Sequence, residues 1–387
     1  MPAISTMTNS CNNRRRIGIL TYHRAENYGS ALQAYALNAA IRDMAPENTE
    51  VHTIDYIPPA QQRLYHIFHP TRGIMDLARN IHSLAHCRSL RKKKRHFNSF
   101  ISRNIPLSPF HGTDKARIIP LLNEYDILIC GSDQIWNMNC FDFDRIYTLH
   151  GIHGPAKIAY APSLGLSRLS SEQEKTLLND LSEFSRIATR EPTGASYLSA
   201  LLKRQVFNTC DPTMLISKQR WLDIANQADI KIPDKGYILS YFIGNIDGMR
   251  QFSARISRES GMKEVVIIKN LRDICSGRTR RLDAGPAEFI SLIANAGMVI
   301  TDSFHATIFS LIFHRPFWVF TDVLDNSKPN ARIMDILSMA GMPDRMLTPD
   351  THARADRNAP LDFADADRRL ATYINQSRQW LSDALSL

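Results

Sequence analysis

At 387 residues, with 44% apolar and 22% charged side chains, the chain has the composition of a folded globular protein and enough length for two ordinary domains, which sets aside disordered and fibrous classes. No apolar run approaches the roughly 18 residues of a membrane-spanning helix; the longest, 308–313 followed by 317–320, is broken by His314, Arg315 and Pro316. The net charge of +9 is concentrated in residues 88–95, Arg-Ser-Leu-Arg-Lys-Lys-Lys-Arg, and calls for an anionic partner or a solvated helix face.

Residues 1–16 are rich in Ser, Thr and Asn, end in three arginines and lack an apolar signal core, so a disordered lead-in and a cytoplasmic protein are expected. Segments 17–22 and 51–56 read as the first strands. They are joined by a polar loop and a helix over 30–44, whose Leu32, Tyr35, Ala36, Ala39 and Ala40 share one side. That opening is a β–loop–α–β unit of the doubly wound kind. Residues 58–109 are basic, His-rich and helical by pattern, an insertion away from the main sheet. The sheet resumes at 125–130, 157–161 and 186–189, with helices over 171–184 and 195–203 between, so a first Rossmann-like domain spans 17–215. A second, 216–364, carries strands at 236–243, 265–269, 298–301 and 317–320. A C-terminal helix takes up 365–387 and offers Leu370, Tyr373, Ile374, Trp380 and Leu381 for docking. The expected class is α/β, two Rossmann-like domains facing a central cleft, with ligands at the carboxyl ends of strands.

Within the basic run, a solvated helix face is the plainer reading, since His96, Phe97, Phe100 and Ile101 follow at helical spacing. No nucleic-acid-reading module accompanies it, so no nucleic acid partner is expected; weak attraction to an anionic membrane surface is the other role it suits. The six cysteines are scattered, without a C-x-x-C pair or a Cys/His cluster at zinc spacing, so neither a disulfide framework nor a metal is expected.

Four polar clusters stand directly after strands. His23-Arg24-Ala25-Glu26-Asn27-Tyr28-Gly29-Ser30 leads into a helix N-terminus, which presents N–H groups to an anion, or merely turns and caps the helix. It is not a G-x-G-x-x-G fingerprint. Gly131-Ser132-Asp133-Gln134-Ile135-Trp136-Asn137 suits a sugar site in which Trp136 stacks on a ring and Asp133 and Asn137 bind hydroxyls, or else a capped turn with Trp136 as a core wedge. Arg190-Glu191 offers a guanidinium to a carboxylate or phosphate, or a plain salt bridge. Thr301-Asp302-Ser303-Phe304-His305-Ala306-Thr307 places an imidazole at a helix start facing the cleft, suited to general acid or base work, or a cap built on Asp302 or Ser303. The glycines of a nucleophile elbow are missing around Ser303.

Taken in order, these segments resemble the polysaccharide pyruvyl transferase family. They are Asn27-Tyr28-Gly29-Ser30 with Leu32-Gln33-Ala34-Tyr35-Ala36-Leu37, Gly131 to Asn137, Tyr160-Ala161-Pro162-Ser163-Leu164-Gly165, Arg190-Glu191, Asp211-Pro212-Thr213 and Thr301 to Thr307 followed by Pro316-Phe317. The resemblance implies a GT-B-like fold, phosphoenolpyruvate as co-substrate with no other cofactor, and a sugar or glycan acceptor converted to a pyruvate ketal without a metal. It also implies His305 as general acid or base and Arg190 as the ligand of the donor anion, with Asn27, Tyr28, Gly29, Ser132, Asp133, Gln134, Trp136, Asn137, Ser163 and Asp302 around the substrates. Some branches of the family carry Arg-Leu-His where this chain has Ser303-Phe304-His305. Ser303 then faces the donor anion, and Arg332 or Lys269 is expected to supply the missing positive charge. A nucleotide-sugar glycosyltransferase shares the fold and is the first alternative; a non-catalytic carbohydrate-binding component of a polysaccharide assembly system is the second.

Overall fold

The computed structural model describes residues 14–386 except 69, 71–72, 166–168, 233–235, 247, 269–278, 322–330 and 357. Short runs of β-branched and aliphatic residues form two fully parallel sheets. The first is built from β1 (Arg15–Leu20), β2 (Thr49–Tyr56), β3 (Leu107–Gly112), β4 (Ile127–Gly131), β5 (Ala156–Tyr160), β6 (Phe184–Thr189) and β7 (Phe207–Asn208), in the order β3-β2-β1-β4-β5-β6-β7. The second is built from β8 (Ile238–Tyr241), β9 (Glu264–Ile267), β10 (Thr279–Arg281), β11 (Met298–Thr301), β12 (Phe317–Phe320) and β13 (Met346–Leu347), in the order β10-β9-β8-β11-β12-β13. Every residue of β4, β8, β9, β11 and β12 is buried, as strands covered by helices on both faces must be. In each sheet the strand order reverses once, between β1 and β4 and between β8 and β11. Loops leaving neighbouring strands at those points part to opposite faces and open a crevice.

Several boundaries differ from the sequence reading. The first strand starts at Arg15, inside the expected lead-in, because Arg15 and Arg16 pair with Thr49 and Glu50, and the Arg16 guanidinium lies 4.7 Å from the Tyr125 ring centre. The 58–109 insertion is helical over Pro59–Leu64, Ile74–Ala85 and Cys87–Asn104, yet it ends in β3 and so returns to the sheet as an edge strand. Pro109 hid that strand; an edge is where a residue without an N–H is tolerated. β7, β10 and β13 are too short to carry a periodic signal.

The two sheets share one core. Helix Tyr28–Met44 has every residue from Tyr28 to Ile41 buried, because helices Cys87–Asn104 and Pro286–Ala294 cover the side turned away from the first sheet. The Tyr28 ring stacks on Phe289 with centres 4.6 Å apart, and its hydroxyl donates to Ala284 O at 3.0 Å. The last helix, Phe363–Leu385, crosses back to the first sheet. There Ser377 Oγ accepts from the Cys210 N–H at 2.9 Å, and Trp380 packs near Tyr160. Among the described residues no helix is long and apolar enough to cross a membrane.

Candidate active site

Helix Tyr28–Met44 begins where Asn27 turns the chain, with its Oδ1 accepting from the Gly29 N–H at 3.0 Å and so satisfying one of the donors a helix start leaves over. Upstream, His23 and Arg24 are drawn sideways to Asp55 on β2. Arg24 donates to it twice, Nε to Oδ1 at 2.8 Å and Nη2 to Oδ2 at 2.7 Å, while His23 Nε2 and His111 Nδ1 each lie 2.8 Å from the same carboxylate. Burial alone would raise the Asp55 carboxyl; hydrogen bonds from Arg24 and His23, and their charge, overcome it and hold the group well below the usual carboxylate range. The loop after β1 is therefore pinned to β2.

After β4, Ser132 and Asp133 take left-handed backbone conformations, φ 26° and 64°, and Ala161 after β5 does the same at 56°. Such conformations cost about 1–3 kcal/mol each and gather at functional sites. Neighbouring bonds hold them: Ser132 N donates to Tyr160 O at 3.0 Å, and Ser163 N to Asp133 O at 2.8 Å. The turn brings the Asp133 carboxylate to the Ser30 hydroxyl, which donates to it. Ser132 is fully buried, and its Oγ has no partner among the described residues. Gln134 accepts from Asn137 Nδ2 at 3.1 Å, and Ser163 Oγ accepts from Gly165 N at 3.2 Å. Gly165 is held at φ 62°, and a Cβ there would fall 2.1 Å from Asn137 Nδ2, so the Asn137 side chain requires a glycine opposite it.

Beyond β6, Arg190 is almost fully buried. Its Nη1 donates to Asp211 Oδ2 at 3.0 Å and its Nε to Glu191 Oε1 at 3.3 Å, but Nη2 has no partner among the described residues. Burial works against its charge, and Glu191, Asp211 and Asp133 outweigh that, so the guanidinium holds its proton more tightly than usual. Arg332, from helix Ala331–Met339, approaches from the second sheet. The two guanidinium carbons lie 5.1 Å (Arg190) and 5.3 Å (Arg332) from the ring centre of Phe304. Arg332 Nε also lacks a partner among the described residues. Burial, and then the charge of Arg190, push the Arg332 guanidinium below its ordinary value. Arg190, buried, and Arg332, partly buried, each keep an N–H without a partner among the described residues, and together they form a site that an anion would stabilise.

His305 stands in the first turn of helix Phe304–Phe313, behind the Ser303 cap, whose Oγ accepts from Ala306 N at 3.4 Å. The imidazole Nε2 is 3.4 Å from Asp211 Oδ2, a long contact that leaves Nε2 without an aligned hydrogen bond. Its ring rests on the backbone of Gly29, where a Cβ would lie 2.0 Å from His305 Nδ1. Asp211 is thus the hinge of the site: Oδ2 meets Arg190 and His305, and Oδ1 accepts from Thr213 N at 3.0 Å and Thr213 Oγ1 at 2.7 Å. Burial would raise its carboxyl, but His305, Arg190 and the Thr213 N–H hold it well below the usual range.

The loops after β1, β4, β6 and β11, with helix Ala331–Met339 after β12, therefore bring together Asn27, Gly29, Asp133, Arg190, His305 and Arg332. Other expected residues do different work. Trp136 is fully buried, donates Nε1–H to Tyr147 O at 2.8 Å and meets Phe184 edge-on, so it is a core wedge and no ring reaches it for stacking. Tyr28 is spent on the junction between the sheets. Asp302 accepts from the N–H groups of Ile243 and Gly244 at 2.6 Å each and so orders the loop after β8. Ser303 is the helix cap. Lys269 and the 326–330 loop lie outside the described residues. Asp211, Glu191 and Phe304 were missed as site residues. The signal available for Asp211 was its place in the Asp211-Pro212-Thr213 segment that carries part of the resemblance; the role of Phe304 beside the two guanidiniums left none. Among the described residues no group of three or more His, Cys, Asp or Glu is placed to hold a metal ion.

Solved structures similar in fold include a UDP-N-acetylglucosamine 2-epimerase described as putative, from Listeria monocytogenes, at 14% identity and TM-score 0.49, covering 95% of this chain and 97% of that one. MnaA of S. aureus, solved with UDP, is 12% identical with TM-score 0.47, covering 96% and 91%. A mutant O-GlcNAc transferase of Thermobaculum terrenum is 11% identical with TM-score 0.41, covering 100% and 71%. Among curated proteins none matches the chain in sequence. Polysaccharide pyruvyl transferase is the family matched over residues 27–322, a stretch that takes in every loop of the site from Asn27 to His305. The chain belongs to the polysaccharide pyruvyl transferase family.

Proposed function

We propose that the chain transfers pyruvate from phosphoenolpyruvate to two hydroxyls of a sugar in a surface or exported polysaccharide, forming a cyclic ketal and releasing phosphate. The observation that carries this reading is the pair Arg190 and Arg332, whose guanidiniums each keep an N–H without a partner among the described residues and lie 5.1 and 5.3 Å from the ring centre of Phe304, beside His305. A carboxylate and a phosphate on one small molecule answer two such cations. In the reaction a proton goes to the methylene carbon of the donor, C2 becomes electrophilic, and one sugar hydroxyl adds there and gives up its proton. The C2–O bond to phosphate then breaks as the second hydroxyl attacks and gives up its proton. His305, beside Asp211 and with Nε2 unaligned to any partner, is the group to hand over and take up those protons. Asp211 positions both the imidazole and Arg190, and in this reading Asp133, which already accepts from the Ser30 hydroxyl, also accepts from an acceptor hydroxyl.

Calorimetric titration of phosphoenolpyruvate tests the donor without any acceptor. Saturable binding is expected for the wild type, with a loss of about tenfold or more in Arg190→Ala and in Arg332→Ala, as for a charge-assisted bond removed. Unchanged affinity in both variants removes the arginines from the donor site. No heat, with or without candidate acceptors, together with a melting shift on adding a uridine or guanosine nucleotide, would replace pyruvyl transfer by glycosyl transfer.

A further inference from the structure

Helix Ile74–Ala85 carries apolar side chains that, among the described residues, nothing covers. Leu77, Ile81 and Leu84 are 50%, 60% and 70% exposed. At 3.6 residues per turn they fall within an arc of about 60°. Leu64 and Phe68, just upstream, are each 45% exposed, so five of the nine exposed large hydrophobics among the described residues lie between positions 64 and 84. Single exposed apolar side chains are ordinary, whereas a cluster on one stretch marks a contact surface.

The next helix, Cys87–Asn104, follows after a single residue and carries charge. Its C-terminal half is anchored by buried Phe97, Phe100 and Ile101, and His96 Nδ1 lies 3.2 Å from Glu288 Oε1. Its first turns present Arg88, Arg91 and Arg95, all exposed and again within an arc of about 60° by the same helical spacing. Among the described residues no carboxylate pairs with these three. They line a groove of about 740 Å³ together with Lys92 and Lys94. Through Lys94 and Asn98 that groove adjoins a cavity of about 390 Å³ that reaches Arg24 and Asp55 at the carboxyl ends of β1 and β2.

We propose that helix Ile74–Ala85 and the first turns of helix Cys87–Asn104 dock the protein on an anionic lipid bilayer, with Leu77, Ile81 and Leu84 entering the acyl boundary and Arg88, Arg91 and Arg95 meeting headgroup phosphates. Exposed apolar side chains followed along the chain by arginines that have no carboxylate partner among the described residues match a surface that is greasy beneath and negative above. A protein partner would have to offer a matching acidic rim and apolar groove, whereas an anionic membrane supplies both by its nature. The docked face turns the groove, and the cavity beyond it, toward the membrane.

Flotation of the full chain with vesicles tests the docking. Binding is expected to vesicles containing phosphatidylglycerol and not to phosphatidylcholine alone. The triple variant Arg88→Gln/Arg91→Gln/Arg95→Gln should lower the partition coefficient about a hundredfold, from roughly 1 kcal/mol per cation near such a surface. The triple variant Leu77→Ser/Ile81→Ser/Leu84→Ser should lose the part of the binding that survives high salt. Both should melt at the wild-type temperature, since the replaced side chains are exposed. Three results overturn the proposal: no flotation of the wild type, flotation unchanged in both variants, or a wild-type dimer that only the leucine variant converts to monomer, which would make a second copy the occupant.

Discussion

The His305 ring rests directly over Gly29, and adding one methyl group there separates positioning from folding. In Gly29→Ala the new Cβ would stand 2.0 Å from His305 Nδ1, 2.4 Å from Cε1 and 2.7 Å from Cγ. Ordinary contact begins near 3.4 Å, so the ring must retreat by about 1.4 Å. Overpacking of this kind costs about 1–3 kcal/mol, and Ala in a helix returns up to about 1 kcal/mol relative to Gly. The net expected destabilisation is then about 0–2 kcal/mol. With His305→Ala as background the clash is gone, and the same Gly29→Ala change should stabilise by up to about 1 kcal/mol. A double-mutant cycle in urea should therefore return a coupling of about 1–3 kcal/mol. Pyruvyl transfer, followed as phosphate released from phosphoenolpyruvate, should fall about a hundredfold in Gly29→Ala, because a displacement of about 1 Å at a reacting group costs that much. Additive stabilities together with wild-type turnover would refute the placement of His305 over Gly29.

Three further changes test neighbouring parts. Asp211→Asn leaves Arg190 and His305 without their shared carboxylate in a buried setting, and should cost about 3–5 kcal/mol by denaturant titration; a loss under 1 kcal/mol would remove Asp211 as the hinge. Trp136→Ala should destabilise by about 3–5 kcal/mol, as for a deleted core aromatic, whereas a sugar-stacking platform would instead show normal stability and a raised KM. Asp55 and Asp211 both have native pKa values depressed below the unfolded value of about 3.9. Their stabilising contribution is thus fully present above roughly pH 4–5 and is lost as pH falls further toward the native values. Thermal midpoints should drop steeply below about pH 4 and drop less in Asp55→Asn, and a midpoint flat down to pH 2.5 would contradict both shifts.

The sequence by itself determined the strands, because continuous apolar runs such as Ile127 to Cys130 and Met298 to Ile300 can only be buried on both faces. Candidate positions for chemistry were legible too, since polar residues crowd directly after those runs, while the roles expected of His305 and Arg190 came from the resemblance to the family. It did not resolve the edge strands, where β3 is masked by Pro109 and β7 and β13 have only two residues each. Only the tertiary structure decided which polar residues face the site. Asp133, Ser132 and Trp136 are neighbours in sequence, but the left-handed turn sends Trp136 into the core and the Asp133 carboxylate to Ser30. Asp302, two residues from Phe304, is taken by the N–H groups of Ile243 and Gly244, while Asp211, 94 positions from His305, lies against its ring. Periodicity reports burial within one element. The partner of a buried charge is set by how two sheets meet, and that depends on contacts between residues far apart in the chain.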